Sequence, residues 1–265
     1  MSTLSNIDIW KELIQGNILI FPFNKENIKG ASYNFTVGQF AYQVPENPNE
    51  PYKRVYDSVQ HKIVLPPKST VLVATNESIW VSPKIAGTYH SKVKLVSQGV
   101  GHIGTTLDPN YLGVSLIALH NVSEREIVLK PGENTFVSVT FHYLKTRSTV
   151  DHDNNPGRPD LVATIKPDEG DVKWLQEEYR NNKNVLRNKM NSDPEFVKFK
   201  NDYSEKWRKF LDYTPYGICI FLFFLGVYLS DTSSNKRVTF FSDKLSTGAF
   251  AAIIVQIFSD IRRKS

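Results

Sequence analysis

Phe136-Val-Ser-Val-Thr-Phe141 sets apolar side chains against hydroxyl-bearing ones, and Gly113-Val-Ser-Leu-Ile-Ala-Leu119 is a short, mostly apolar run that ends at His120 and Asn121. A period of two sends alternate side chains to opposite faces, which suits a strand and not a helix. Comparable runs occur at 17–21 (Asn-Ile-Leu-Ile-Phe), 70–74 (Thr-Val-Leu-Val-Ala), 79–81 (Ile-Trp-Val) and 126–129 (Glu-Ile-Val-Leu). Pro-Pro-Lys-Ser at 66–69 and Lys-Pro-Gly-Glu at 130–133 punctuate them with turn-forming residues. Many short strands at close spacing predict a mainly β domain, an antiparallel sandwich or barrel, over the first 145 residues.

The composition is that of a folded protein. Of 265 residues, 40% are hydrophobic and 22% charged, which excludes a disordered chain. The single cysteine, Cys219, excludes an intramolecular disulfide framework and a multi-cysteine zinc site. Six histidines (61, 90, 102, 120, 142 and 152) lack a paired ligand spacing, so no metal site is expected from protein ligands. The formal charge of +5 suits an anionic partner, a nucleotide or an acidic lipid surface, and is too small to argue for nucleic acid. The opening MSTLSNIDIWKELIQGN carries Asp8 and Glu12 within its apolar pattern and does not read as a signal peptide.

Beyond the β-rich part, residues 146–169 are rich in Asp, Asn, Pro and Gly and read as an exposed linker. Residues 170–211 read as a helical stalk. Val172, Leu175, Tyr179, Leu186 and Met190 form a broken apolar stripe, and Ser192-Asp193-Pro194-Glu195 marks a fresh helix start. Phe196, Phe199, Tyr203, Trp207 and Phe210 then share one face, for packing against a partner helix or a membrane surface. Residues 212–265 are expected to form one membrane helix or a helical hairpin. The stretch 213–230 is uncharged, and as a helix it would reach about 27 Å, near the hydrocarbon thickness. The stretch 245–259 is shorter and contains Gln256. Lys206, Arg208 and Lys209 on one side and Arg262, Arg263 and Lys264 on the other place both ends, and the N-terminal domain, in the cytoplasm. A core helix in a soluble protein is the alternative for 213–230.

Gly16-Asn-Ile-Leu-Ile-Phe-Pro22-Phe23 followed by Ile28-Lys-Gly-Ala31-Ser32-Tyr33-Asn34-Phe-Thr-Val-Gly38 resembles the opening of the dCTP deaminase branch of the dUTPase superfamily. Further blocks follow in the family's order: Leu65-Pro-Pro, Thr70 to Glu77, Ile85-Ala-Gly87, Gly99-Val100, Leu107-Asp-Pro-Asn-Tyr-Leu-Gly113, Asn121-Val-Ser123 and Leu129-Lys-Pro-Gly132. The resemblance covers about residues 6–144. It implies a dUTPase-like distorted β-barrel, usually a homotrimer with nucleotide sites between subunits.

The resemblance also implies site residues. Asp108 matches the aspartate that orients the attacking water in dUTPases, and a carboxylate beside a developing nucleophile suits a general base. Tyr111 is similar to the aromatic that packs under the deoxyribose. The same Asp-Pro-Asn-Tyr is also a favoured β-turn, and both readings stay open. The deaminase glutamate falls on Ala118, which has no proton to shuttle. Where the family holds a triphosphate with Ser and Arg, this chain has His90-Ser-Lys-Val-Lys94 and Ser97. Lys92 and Lys94 would meet phosphates as point charges, although Lys-Val-Lys-Leu equally suits the solvent face of a strand. His102 would touch a base from its loop. Arg158 lies in a turn-rich piece that is either a substitute for the family's glycine-rich arm or only a linker, and as a lid residue it would contact phosphate. Asn34 stands where the family usually has aspartate.

The expected function is therefore a membrane-anchored deoxynucleotide-binding protein, a sensor or effector without deamination, with a dUTP- or dCTP-type ligand and a homotrimeric assembly. Antiphage defence is a natural setting for such a device. Mg²⁺ would arrive only on nucleotide phosphates. If the site is active, the chain would be a dUTP diphosphatase or dCTP deaminase.

Overall fold

The computed structural model describes residues 2–149 and 159–204, and beyond them 221–225, 227–228, 244–245 and 247–248. Among the described residues the named strands and α-helices are β1 (Ser2–Thr3), α1 (Asn6–Ile14), β2 (Ile18–Phe21), β3 (Tyr33–Gln43), β4 (Lys53–Arg54), β5 (Tyr56–Asp57), β6 (Lys62–Leu65), β7 (Ser69–Val81), β8 (Ile85–Ser91), α2 (Val93–Val96), β9 (Val100–His102), β10 (Thr106–Leu107), β11 (Leu112–Asn121), β12 (Ile127–Leu129), β13 (Thr135–Tyr143), α3 (Pro159–Ile165), α4 (Glu169–Leu175), α5 (Glu178–Asn181) and α6 (Lys183–Ser192). The fold is mainly β, with helices following, as the alternation predicts. The two runs at 70–74 and 79–81 belong to one long strand, β7, because the polar stretch between them is buried and bonded rather than turned.

All pairings are antiparallel, in the order β10-β8-β13-β3-β7-β11-β9, with β1 on β13, β2 on β7 and β4 on β3. A second sheet runs β12-β6-β5. The large sheet curls into a half-barrel. β8 and β9 lie far apart in that order, yet the His102 amide donates to Ser91 Oγ at 3.1 Å. The enclosed core holds Tyr33, Phe35, Phe136, Phe141, Val71, Val73 and Leu119, among others. Helix α1 closes one end. Its capping box joins Ser5 and Asp8, and Ile9 and Leu13 point inward.

The second face of β3, β7 and β11 is covered by the chain's own C-terminal helices. Ile165 is buried with Phe40, Tyr42, Ala74 and Val114, and Val162, Trp174 and Leu175 pack around them. Helix α6 and the helical residues 194–199 continue along the barrel. Leu186, Met190, Phe196 and Phe199 join the main core, and Phe23 packs on both Phe196 and Phe199 with ring centroids 5.2 Å apart. The helix start at 193 forms as the sequence indicates, with Asp193 Oδ1 accepting from the amides of Glu195 and Phe196. Through Phe199, the stretch expected as a stalk is thus part of the first compact unit, 1–199, and a second unit begins at Lys200.

Two buried charges bind this arm to the sheet. Asp171, fully buried, accepts both Arg54 guanidinium bonds at 2.7 Å and the Tyr42 hydroxyl at 2.7 Å. The buried Arg180 donates to Asn76 O and Ser78 Oγ, and its guanidinium lies 3.8 Å from the Trp174 ring centre. Trp174 in turn rests on Gly38, where an added Cβ would stand 2.8 Å from the indole and 3.0 Å from Ala74 O. Gly38→Ala should therefore push Trp174 outward and lower stability by about 1–3 kcal/mol, measured by urea unfolding of the full chain. An unchanged midpoint would show that the indole yields freely.

One expectation is corrected outright. Among the described residues no helix is long and apolar enough to cross a membrane, so the membrane localisation is not retained. Most of the candidate spans 213–230 and 245–259 lies outside the described residues. The hydropathy count alone could not distinguish a span from any other apolar stretch.

Candidate functional site

The turn before β11 carries Asp108 and Tyr111. Pro109 takes the second place, Asn110 has φ +64°, and the Tyr111 amide donates to Asp108 O at 3.2 Å. These are the features of a type II turn, in which Asn accepts the left-handed position. The turn and site readings are therefore compatible: the turn holds the Asp108 carboxylate exposed, with Thr106 Oγ1 3.5 Å away. Tyr111 is half-buried against the core, and its hydroxyl donates to Val114 O, which ties the ring to β11.

Ala118 lies mid-strand between Leu116 and His120, paired with Leu72 of β7. Neither of these strand neighbours on its face is a carboxylate that could replace the expected glutamate. His120 shares its Nδ1 with Thr70 Oγ1 at 2.9 Å, and its Nε2 is buried without a partner among the described residues.

A separate polar group surrounds the end of β8. Residues 93–96 form a single helical turn, α2, instead of the strand face that Lys-Val-Lys-Leu allows. Leu95 is its buried side chain, while Val93 and Val96 are exposed. Lys92 precedes the turn and donates to Asn34 Oδ1 at 2.8 Å; the same oxygen accepts from Ser138 Oγ at 2.7 Å. Burial and the charge of Lys29 hold the Lys92 ammonium below the ordinary lysine range. Lys94 is exposed on α2, and Ser97 ends the turn with its hydroxyl on Lys94 O. His102 lies on strand β9, not in a loop, with Nδ1 2.8 Å from Ser91 Oγ. Its imidazole is pushed down by burial and then by His90 and His120. Arg158 lies outside the described residues.

Within one chain these groups do not converge. Leu107 pairs with Gly87, while Lys92 follows the far end of β8. Five residues of strand separate them, roughly 16 Å. The structure thus places Asp108 and Tyr111 on one turn, and Lys92, Lys94 and Ser97 on and beside another, apart from the first.

The sequence reading assigned no role to Glu77. It is buried in the β7 irregularity opposite Ser115 and accepts from the Thr36 amide at 3.0 and 3.2 Å and from Thr36 Oγ1 at 2.8 Å. Burial raises its carboxyl to about 7, against those hydrogen bonds and the Arg180 charge. A carboxylate in a short polar stretch, Thr75-Asn-Glu-Ser78, between two apolar strand runs was the available signal.

The dCTP deaminase-like family matches residues 3–142. A dCTP deaminase of Pyrococcus abyssi is 32% identical over 136 residues, covering 51% of this chain and 82% of that protein. A dUMP-forming dCTP deaminase of Methanopyrus kandleri is 26% identical over 163 residues, covering 55% of this chain and 84% of its own. Among solved structures, the 2'-deoxycytidine 5'-triphosphate deaminase of Agrobacterium tumefaciens aligns with a TM-score of 0.42 and 13% identity, over 54% of this chain and 48% of that one.

Proposed function

We propose, since the chain belongs to the dCTP deaminase-like family, that its β-domain binds a dUTP- or dCTP-type deoxynucleotide without deaminating it, and acts as a sensor or effector through its C-terminal helices. Ala118 carries this reading. Deamination of cytosine needs a group that moves protons between water and the leaving amine, and a methyl side chain cannot do so. Asp108 and Tyr111 would face the nucleotide from one copy and Lys92, Lys94 and Ser97 from another, which supports a homotrimer. The exposed Val93, Val96, Ile103 and Val122 would then supply apolar contact between copies. Mg²⁺, if bound, would be held by the nucleotide phosphates.

A second reading, a dUTP diphosphatase, is favoured by one observation: the exposed Asp108 carboxylate held on a rigid turn beside Tyr111. The full chain incubated with Mg²⁺ and a deoxynucleotide panel separates the two. Retention of a nucleotide without conversion is expected, and Asp108→Asn should leave that retention within a few-fold. Conversion of dUTP or dCTP that Asp108→Asn slows by about 100-fold or more would replace the sensor with the enzyme. Chromatography of retained and released nucleotides reads both.

A further inference from the structure

Lys92 is half-buried, and among the described residues its one hydrogen-bond partner is a neutral amide oxygen, Asn34 Oδ1. Asn34 is itself 4% exposed and is fixed by Ser138 Oγ, so it cannot turn away. Lys29 is close enough to act on the Lys92 charge, and its own ammonium donates to a backbone carbonyl, Glu26 O, at 2.6 Å. Lys94 is exposed two residues on, and the exposed His90 is paired with Ser138 on the neighbouring strand. Lys92 and Lys29 make no ion pair among the described residues. A like charge, that of Lys29, beside a partly desolvated ammonium raises the electrostatic energy of the site, and a multiply charged anion lowers it.

We propose that Asn34 is a positioning residue that holds Lys92 for a polyphosphate without neutralising it. The amide oxygen orients the ammonium as a carboxylate would but leaves its full charge for the ligand. The chemistry shared by inorganic triphosphate and a nucleotide's phosphate chain is what the site recognises, and a nucleotide source rests on the function proposed above.

The test is calorimetric titration of the full-length protein with inorganic triphosphate, dUTP and dCTP at low and moderate salt. Wild type should bind triphosphate with an affinity that falls as salt rises. Asn34→Asp, of almost unchanged shape, should weaken binding at least tenfold while its unliganded thermal midpoint stays within a few degrees. Lys92→Gln should weaken it to a similar extent, and the double variant further still, because it leaves a carboxylate with no ammonium beside it. Lys92→Gln keeps the question answerable if Asn34→Asp folds poorly. Absence of triphosphate binding by wild type overturns the proposal, as does full affinity in Asn34→Asp. Binding of triphosphate but of neither nucleotide leaves the proposal standing and removes the nucleotide reading. Nucleotide binding that Asn34→Asp does not alter does the reverse.

Discussion

Asp171→Ala should cost the full chain about 3–5 kcal/mol in urea unfolding, the loss typical of breaking a buried ion pair from one side. The carboxylate is fully buried and accepts three bonds at 2.7 Å, two from Arg54 and one from Tyr42. Its removal strands a guanidinium that is 24% exposed, whose remaining ion pair is to Asp168 at 3.3 Å. It also leaves the Tyr42 hydroxyl with the Asp168 amide alone, 2.9 Å away. Asp171→Asn should lose less, because an amide still accepts from Tyr42. Trp174 and Arg180 follow on the same arm, so the change should also expose residues 162–181 to amide exchange. A loss below 1 kcal/mol, with unchanged exchange, would mean that the arm is held by its apolar contacts and not by this pair.

Glu77 should make the protein less stable as pH rises from about 4.5 to about 7. Its carboxyl is raised to about 7 in the folded chain against an ordinary 4.5, so the folded state holds the proton longer than the unfolded one. Stability from this group is complete below the unfolded value and is lost as pH climbs through the folded one. The span of the shift corresponds to roughly 3 kcal/mol. Tyr33 and Tyr89 feel the same charge but titrate well above this range, and Arg180 stays cationic throughout. Glu77→Gln should remove the loss, so the variant should gain on wild type between pH 5 and pH 8. Taking the difference between the two proteins cancels the opposite trend from His102, whose lowered value weakens the fold as pH falls. Parallel stability curves for the two proteins would show that Glu77 keeps an ordinary carboxylate range.

Local pattern determined much of this protein. Short β-rich runs between turn residues placed strands at 113–119 and 136–141, Asp-Pro-Asn-Tyr placed the turn, and Ser192-Asp-Pro-Glu195 placed a helix start, which Asp193 caps. The order of short blocks identified the family, and the glutamate's absence at Ala118 was legible by counting. These features depend on residues a few positions apart, and sequence shows them directly.

Tertiary structure alone decided where the polar groups go. Asp171 and Arg180 sit in a stretch that reads as a helical stalk, and they are buried against partners, Arg54 and Asn76, that lie 117 and 104 residues away in the chain. Lys92 meets Asn34 across 58 residues, and Glu77 meets Thr36 across 41. A charged side chain is buried only where distant donors or acceptors satisfy it, and no local period records such a partner. The same dependence separates Asp108 from Lys92: they are 16 positions apart in the chain, but the strands β8 and β10 pair so as to carry them to opposite ends of a strand.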